Sequence, residues 1–204
     1  MKKFVLVIIA LLATTVISAQ EFRWGPTASV NMSWLRGVGA GVVSSDCYVG
    51  FQAGIKAERD CTDIIAKGFY LDGKFLYTLK GASWSGVHNN LGYLELPVNL
   101  GYRFNLSDGV SLMAGLGPYV GLGILGKTVS KVDDTKVKTD IFGQALKRFD
   151  FGLNYNLGVE LWNKWQFFVG FDQGLVNIAK TEPDVVASPK YRLKNIYIGT
   201  AFLF

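Results

Sequence analysis

The chain has 204 residues, enough for one domain or two small ones. Half of them are hydrophobic, 18% are charged and 24 are glycine, which excludes a disordered chain and disfavours a helical bundle, where each interior glycine costs roughly 1 kcal/mol relative to alanine. One histidine and two cysteines leave too few ligands for a histidine-rich metal site or a disulfide scaffold, and no cofactor motif is present.

The first element is a leader. Lys2 and Lys3 precede an apolar run from Phe4 to Leu12, and Ile17-Ser18-Ala19 ends in a small residue before Gln20. That three-part pattern is a secretory signal peptide over 1–19, leaving 20–204 as the mature domain. The apolar run is short for a helical span of about 20 residues. No cysteine follows the cleavage point, so a lipoprotein is not expected. Cleavage removes two lysines and lowers the formal net charge from +5 to +3. So mild a charge argues against a nucleic-acid partner.

The mature chain then alternates with period two. Trp24, Pro26, Ala28, Val30, Met32 and Trp34 oppose Arg23, Gly25, Thr27, Ser29, Asn31 and Ser33. Val49, Phe51, Ala53 and Ile55 oppose Gly50, Gln52, Gly54 and Lys56, and Phe69, Leu71, Phe75 and Tyr77 lie opposite Asp72 and Lys74. The split recurs over 94–104, 112–122, 149–161 and 165–172, and more weakly over 196–204. Successive side chains of a strand point to opposite faces, so these are about eight strands of roughly ten residues, the size of a transmembrane β-strand. The fold expected is an all-β, eight-stranded antiparallel transmembrane barrel.

Two features place the apolar face outside. The polar face is rich in glycine and amides, which suit the crowded interior of a small barrel better than a soluble exterior. Trp24 and Trp34 share a face ten residues apart; about 33 Å of strand, tilted by about 40°, projects to roughly 25 Å, the height of a lipid-facing band. Trp162 and Trp165 bracket a short turn, as further interface aromatics would. With an even strand count both mature termini face the periplasm. The periplasmic turns are expected at 58–67, 105–109 and 162–164, and the external loops at 36–47, 80–90, 125–148 and 175–191. A soluble lipocalin-like carrier, with the apolar face inside, is the alternative.

Three segments resemble a known family. Tyr93-Leu94-Glu95-Leu96-Pro97-Val98, Phe75-Leu76-Tyr77-Thr78-Leu79-Lys80-Gly81 and Gly115-Leu116-Gly117-Pro118-Tyr119-Val120-Gly121 are similar to strands of the PorT-like outer-membrane β-barrel family of Bacteroidota. The chain also ends in Phe204, the residue type read by the barrel-assembly machinery in such proteins. The resemblance implies an outer-membrane barrel and leaves activity open; the namesake's part in a secretion system suggests an accessory subunit of an envelope machine as one alternative.

An eight-stranded barrel has an interior that side chains can fill. The inward set is Arg23, Lys56, Asp72, Lys74, Glu95, Arg103, Asp150, Glu160 and Asp172. Buried charges must pair or stay hydrated. Arg23, Lys56, Arg103 and Glu160 should gather near the periplasmic end, and Lys74 should pair with Glu95 nearer the middle. Cys47 and Cys61 flank the second strand, so they should be free thiols at opposite ends of the barrel rather than a disulfide.

Other chemistry is sparse. His88 lies near Ser83 and Ser85, with Asp46 as the nearest orienting carboxylate, and no spacing supports a triad; a barrel enzyme is therefore a weak alternative to a chain without catalytic activity. Gly37-Val38-Gly39-Ala40-Gly41 has no βαβ unit after it and reads as loop. The 126–148 loop carries Lys127, Lys131, Lys136, Lys138, Lys147 and Arg148 against Asp133, Asp134 and Asp140. Such a loop reads first as a solvated loop kept polar for solubility, and it also suits lipopolysaccharide phosphates or an acidic protein of an envelope complex. The expected function is a structural or interaction role in outer-membrane lipid.

Overall fold

The computed structural model describes residues 22–39, 42–84, 87–132, 135–180 and 190–204. They form nine strands: β1 (Phe22–Val38), β2 (Tyr48–Asp60), β3 (Phe69–Trp84), β4 (Val87–Ser107), β5 (Val110–Val132), β6 (Thr135–Asp140), β7 (Phe149–Leu161), β8 (Trp165–Gly174) and β9 (Lys190–Phe202). The order around the sheet is β4-β3-β2-β1-β9-β8-β7-β5, and β4 also pairs with β5, which closes the ring. Every pairing is antiparallel. β6 pairs with the far end of β5, from Lys127 to Val132, and stands above the wall as a hairpin extension. The wall itself is an eight-stranded antiparallel barrel. The 1–19 segment lies outside the described residues.

Alternation sets the faces. Val30, Leu157 and Ile198 point outward and are 56%, 61% and 64% exposed, whereas Asp150 and Glu160 are buried inside. Apolar side chains therefore cover the outside, the reverse of what a lipocalin-like carrier needs. The barrel has a terminal end, where both described chain ends lie, and a hairpin end. Aromatic rings crowd the terminal end: Trp24 with Phe204 at 5.8 Å, Phe202 with Phe204 at 5.1 Å and Trp165 with Phe202 at 4.9 Å between centroids. The Phe204 amide donates to the Trp24 carbonyl at 2.9 Å and ties the last residue to the first strand. The β7–β8 turn places Trp162 and Asn163 at φ 52° and 57°. Positive φ at both central residues matches the right-handed twist of the flanking strands.

The loop boundaries differ from those expected. Residues 80–90 are mostly ladder rather than loop, because β3 runs to Trp84 and β4 starts at Val87. The 125–148 segment begins with the end of β5 and continues as β6. The turn expected at 58–67 occupies 61–68, since β2 runs on to Asp60. Hydrophobic alternation reports what a strand faces, and it fades above the apolar band. The backbone amides and carbonyls still need partners there, so the ladder continues.

Candidate functional site

The lumen holds charge in two tiers. At the terminal end, Arg23 from β1 and Arg103 from β4 each bridge Glu58 of β2 and Glu160 of β7. Arg23 donates to Glu58 and, at 2.9 Å, to Glu160. Arg103 donates to Glu58, and its Nε lies 3.0 Å from Glu160. Lys56 lies 3.3 Å from Glu58 and 3.2 Å from Asp72, and it donates to Gln166 at 2.7 Å. Gln166 in turn donates to Glu58 at 3.0 Å and Glu160 at 2.7 Å. Three cations and three carboxylates thus interlock within one turn of side chains. Arg23, Lys56, Arg103 and Glu160 come together at this end of the barrel. Glu58 and Gln166 join them; the sequence reading omitted Glu58 because the apolar alternation that marks β2 stops at Ile55, short of it.

The second tier lies nearer the hairpin end. Lys80 Nζ sits 2.5 Å from Glu95 and 3.4 Å from Asp172, and 5.2 Å from the centroid of the Tyr119 ring. Tyr119 donates to Asp150 at 2.9 Å. Asp172 also accepts from Asn154 at 2.6 Å and Asn195 at 2.8 Å. Here the expected Lys74–Glu95 pair gives way to Lys80–Glu95. Lys80 belongs to a segment read as an external loop, yet its strand continues and its side chain is fully buried. Lys74 instead crosses to aromatic rings, with its Nζ 4.7 Å from the Phe168 centroid and 5.6 Å from that of Tyr197. No carboxylate lies within 4 Å of it among the described residues. Two small cavities, each about 10 Å³, flank Lys74, room for about one water apiece. Gly170 makes this packing possible, because a Cβ there would come within 2.2 Å of the Tyr197 ring and hydroxyl.

Above the second tier the lumen is apolar. Leu35, Leu91, Tyr93 and Leu193 from the wall pack with Ile141, Phe142, Leu146 and Ile178 from the segments after β6 and β8. Phe142 seats against Gly123, where a Cβ would approach its ring to 2.4 Å, and stacks edge-on to Tyr93 at 5.6 Å. Part of the segment read as a solvated basic loop therefore folds inward as a roof. The apolar residues Ile141, Phe142 and Leu146 are the signal that could have shown it. Asp140, Lys147 and Arg148 stay exposed, while the side chains of Lys131, Lys136 and Lys138, with Asp133 and Asp134, lie outside the described residues.

The remaining candidates are spread apart. Trp24, Trp162 and Trp165 are exposed on the outer surface of the terminal end, and Trp34 is half-buried against Phe171 at 6.5 Å toward the hairpin end. Cys47 is exposed and Cys61 buried, and no disulfide joins them; β2 separates them by about 40 Å of extended strand. Ser85 and the His88 side chain lie outside the described residues, and Asp46 is held in a β-bridge with Ser83. Gly37 and Val38 continue β1, while 40–41 lie outside the described residues.

The three segments that carry the family resemblance meet in the second tier: Lys80 from one, Glu95 from another, Tyr119 from the third. An outward apolar band, a closed ring of eight strands and a polar interior define the class: a membrane-spanning β-barrel. The chain belongs to the outer membrane protein beta-barrel domain family, whose model matches residues 4–204. Among curated proteins, none is significantly similar to it in sequence. Solved barrels are similar at low identity. Ail, the attachment invasion locus protein of Yersinia pestis, is 16% identical with a TM-score of 0.47, covering 90% of this chain and 99% of that one. Neisserial surface protein A is 12% identical with a TM-score of 0.48, covering 90% and 97%. OprG from Pseudomonas aeruginosa is 12% identical with a TM-score of 0.44, covering 90% and 94%.

Proposed function

We propose that this protein is a non-catalytic, non-conducting barrel of the bacterial outer membrane that works through its outer rim. Residues 1–19 are a leader removed on export. Both mature termini and the terminal-end turns face the periplasm, and the hairpin end faces outward. The observation that supports this reading best is the lumen, where two ionic tiers and an apolar roof stand between the two ends. Trp24, Trp34, Trp162 and Trp165 mark the two lipid interfaces, and Phe204 is the signal for the barrel-assembly machinery. The surrounding partner is outer-membrane lipid. At the rim the partner is lipopolysaccharide or an envelope protein complex, and an accessory place in a PorT-like secretion machine is a special case of the same role.

The native cysteines test the orientation. A membrane-impermeant maleimide added to intact cells should label Cys47, which is exposed at the hairpin end, and leave Cys61 unreacted. Labelling of Cys47 only after the outer membrane is opened would overturn the orientation. Unheated samples should migrate differently from boiled ones on gels, as folded barrels do. In planar bilayers the protein should give no steady conductance, and persistent channel openings would overturn the closed-lumen reading.

A further inference from the structure

The outer flank of the barrel at the hairpin end carries a cluster of cations that the lumen does not use. Arg36 on β1 and Arg192 on β9 are direct cross-strand partners, and the next outward pair below them is Trp34 with Lys194. All four side chains stand on the outer face. Gln173, the partner of Lys194 on β8, stands beside them. Like charges placed directly opposite on an antiparallel pair repel. Among the described residues no carboxylate lies within 4 Å of Arg36, Arg192 or Lys194. The wall steps down here, because β8 stops at Gly174 while β9 and β1 run on to Lys190 and Val38. The result is a recess of about 340 Å³ lined by Arg36, Arg192, Lys194 and Gln173, with glycines at its back. That volume lies within the range of small-ligand sites.

The height of the recess identifies what fills it. Lys194 Nζ lies 5.4 Å from the Phe171 ring centroid, and Phe171 packs on Trp34, the uppermost aromatic of β1. Lys194 therefore marks the top of the apolar band, with its ammonium over the Phe171 ring. Arg36 and Arg192 lie one outward position higher, about 7 Å further along the strands. Two guanidinium forks and an ammonium at headgroup level, aimed sideways rather than up from the rim, suit a phosphate ester, which guanidinium binds through paired hydrogen bonds. We infer that Arg36, Arg192 and Lys194 form a lateral site for the phosphorylated sugar headgroup of an outer-leaflet glycolipid, whose acyl chains lie along the wall below. This rests on the outward orientation of the hairpin end proposed above.

Native mass spectrometry of the folded barrel in detergent micelles tests it, with bis-phosphorylated and dephosphorylated lipid A as paired probes. The bis-phosphorylated lipid should be retained at least tenfold more strongly. The double variant R36Q/R192Q should bring retention down to that of the dephosphorylated lipid. K67Q/K164Q removes the same charge from exposed lysines at the opposite end and should leave retention unchanged. Unheated gel mobility must be the same for all three proteins, so a folding defect is separated from a binding defect. Equal retention of the two lipids, or full retention by R36Q/R192Q, would overturn the site. Displacement of the lipid by an equal concentration of inorganic pyrophosphate would also overturn the glycolipid assignment, since the site would then take a free anion. Failure of the orientation appears separately, as lack of Cys47 labelling in intact cells.

Discussion

The two tiers of the lumen hold their charges by different means. At the terminal end, two guanidinium groups and one ammonium face Glu58, Glu160 and Asp72, and most groups have more than one partner. In the upper tier a single lysine faces Glu95 and Asp172, and Asn154, Asn195 and Tyr119, with the Phe151 amide, donate to the aspartates. The difference follows from the side chains. A planar guanidinium can bridge two carboxylates in a fixed geometry, whereas an ammonium is a point charge on a flexible stem. The first arrangement braces β1, β2, β4 and β7 across the barrel. The second can lose a partner and still find another.

The sharpest way to break this contrast is Glu58→Ala. It removes an acceptor shared by Arg23, Arg103, Gln166 and Lys56. Breaking a buried ion pair from one side costs about 3–5 kcal/mol, and the many partners put this substitution near about 5 kcal/mol. Urea unfolding in lipid vesicles checks the value; a loss no larger than that of the next variant would erase the distinction between the tiers. Glu95→Ala should cost less, near about 3 kcal/mol, because Lys80 keeps Asp172. Its conductance should stay at background, since the apolar roof is untouched. A channel appearing without loss of stability would show that the Lys80–Glu95 pair is a gate and not a brace.

Phe142→Ala sharpens the contrast from above. Removing a buried phenyl ring costs about 3 kcal/mol or more, and here it also opens the roof. The expected outcome is brief conductance in planar bilayers, absent in Glu95→Ala. If both variants stay silent, the ionic tiers alone seal the lumen. The smallest effect is expected at Lys74, the one buried cation without a carboxylate within 4 Å among the described residues. Lys74→Met keeps the length of the side chain and its contact with Phe168 and Tyr197. Replacing a poorly compensated buried charge by an apolar side chain is often neutral or stabilising. The unfolding midpoint should hold or rise by about 1 kcal/mol in free-energy terms; a large loss would show that Lys74 belongs to the ionic system after all.

Much of this architecture was legible in one dimension. The strict alternation of 149–161 coincides with β7 residue for residue, and inward positions such as Glu160 and Asp150 follow from parity alone. Less was legible where polarity stops alternating. Lys80 and Glu58 lie just past the apolar stretches of their strands, and both proved to be interior groups. The roof was hidden for a related reason: Ile141, Phe142 and Leu146 sit among lysines and aspartates, so local composition suggested solvent.

Parity and composition therefore determined the closed barrel, its outward apolar face and the inward charges that lie within the alternating stretches, because a period of two is a local property of an extended chain. Partner choice was decided by the tertiary structure. Lys74 is nearer than Lys80 to the cross-strand position of Glu95, whose direct partner is Leu76. Lys80 nevertheless takes the carboxylate, because the apolar roof above it offers no acceptor and its flexible stem turns down into the lumen. Lys74 finds Phe168 and Tyr197 from strands far away in the chain. Those distances exist only once the ring has closed, and no pattern along one strand encodes what the opposite wall will present.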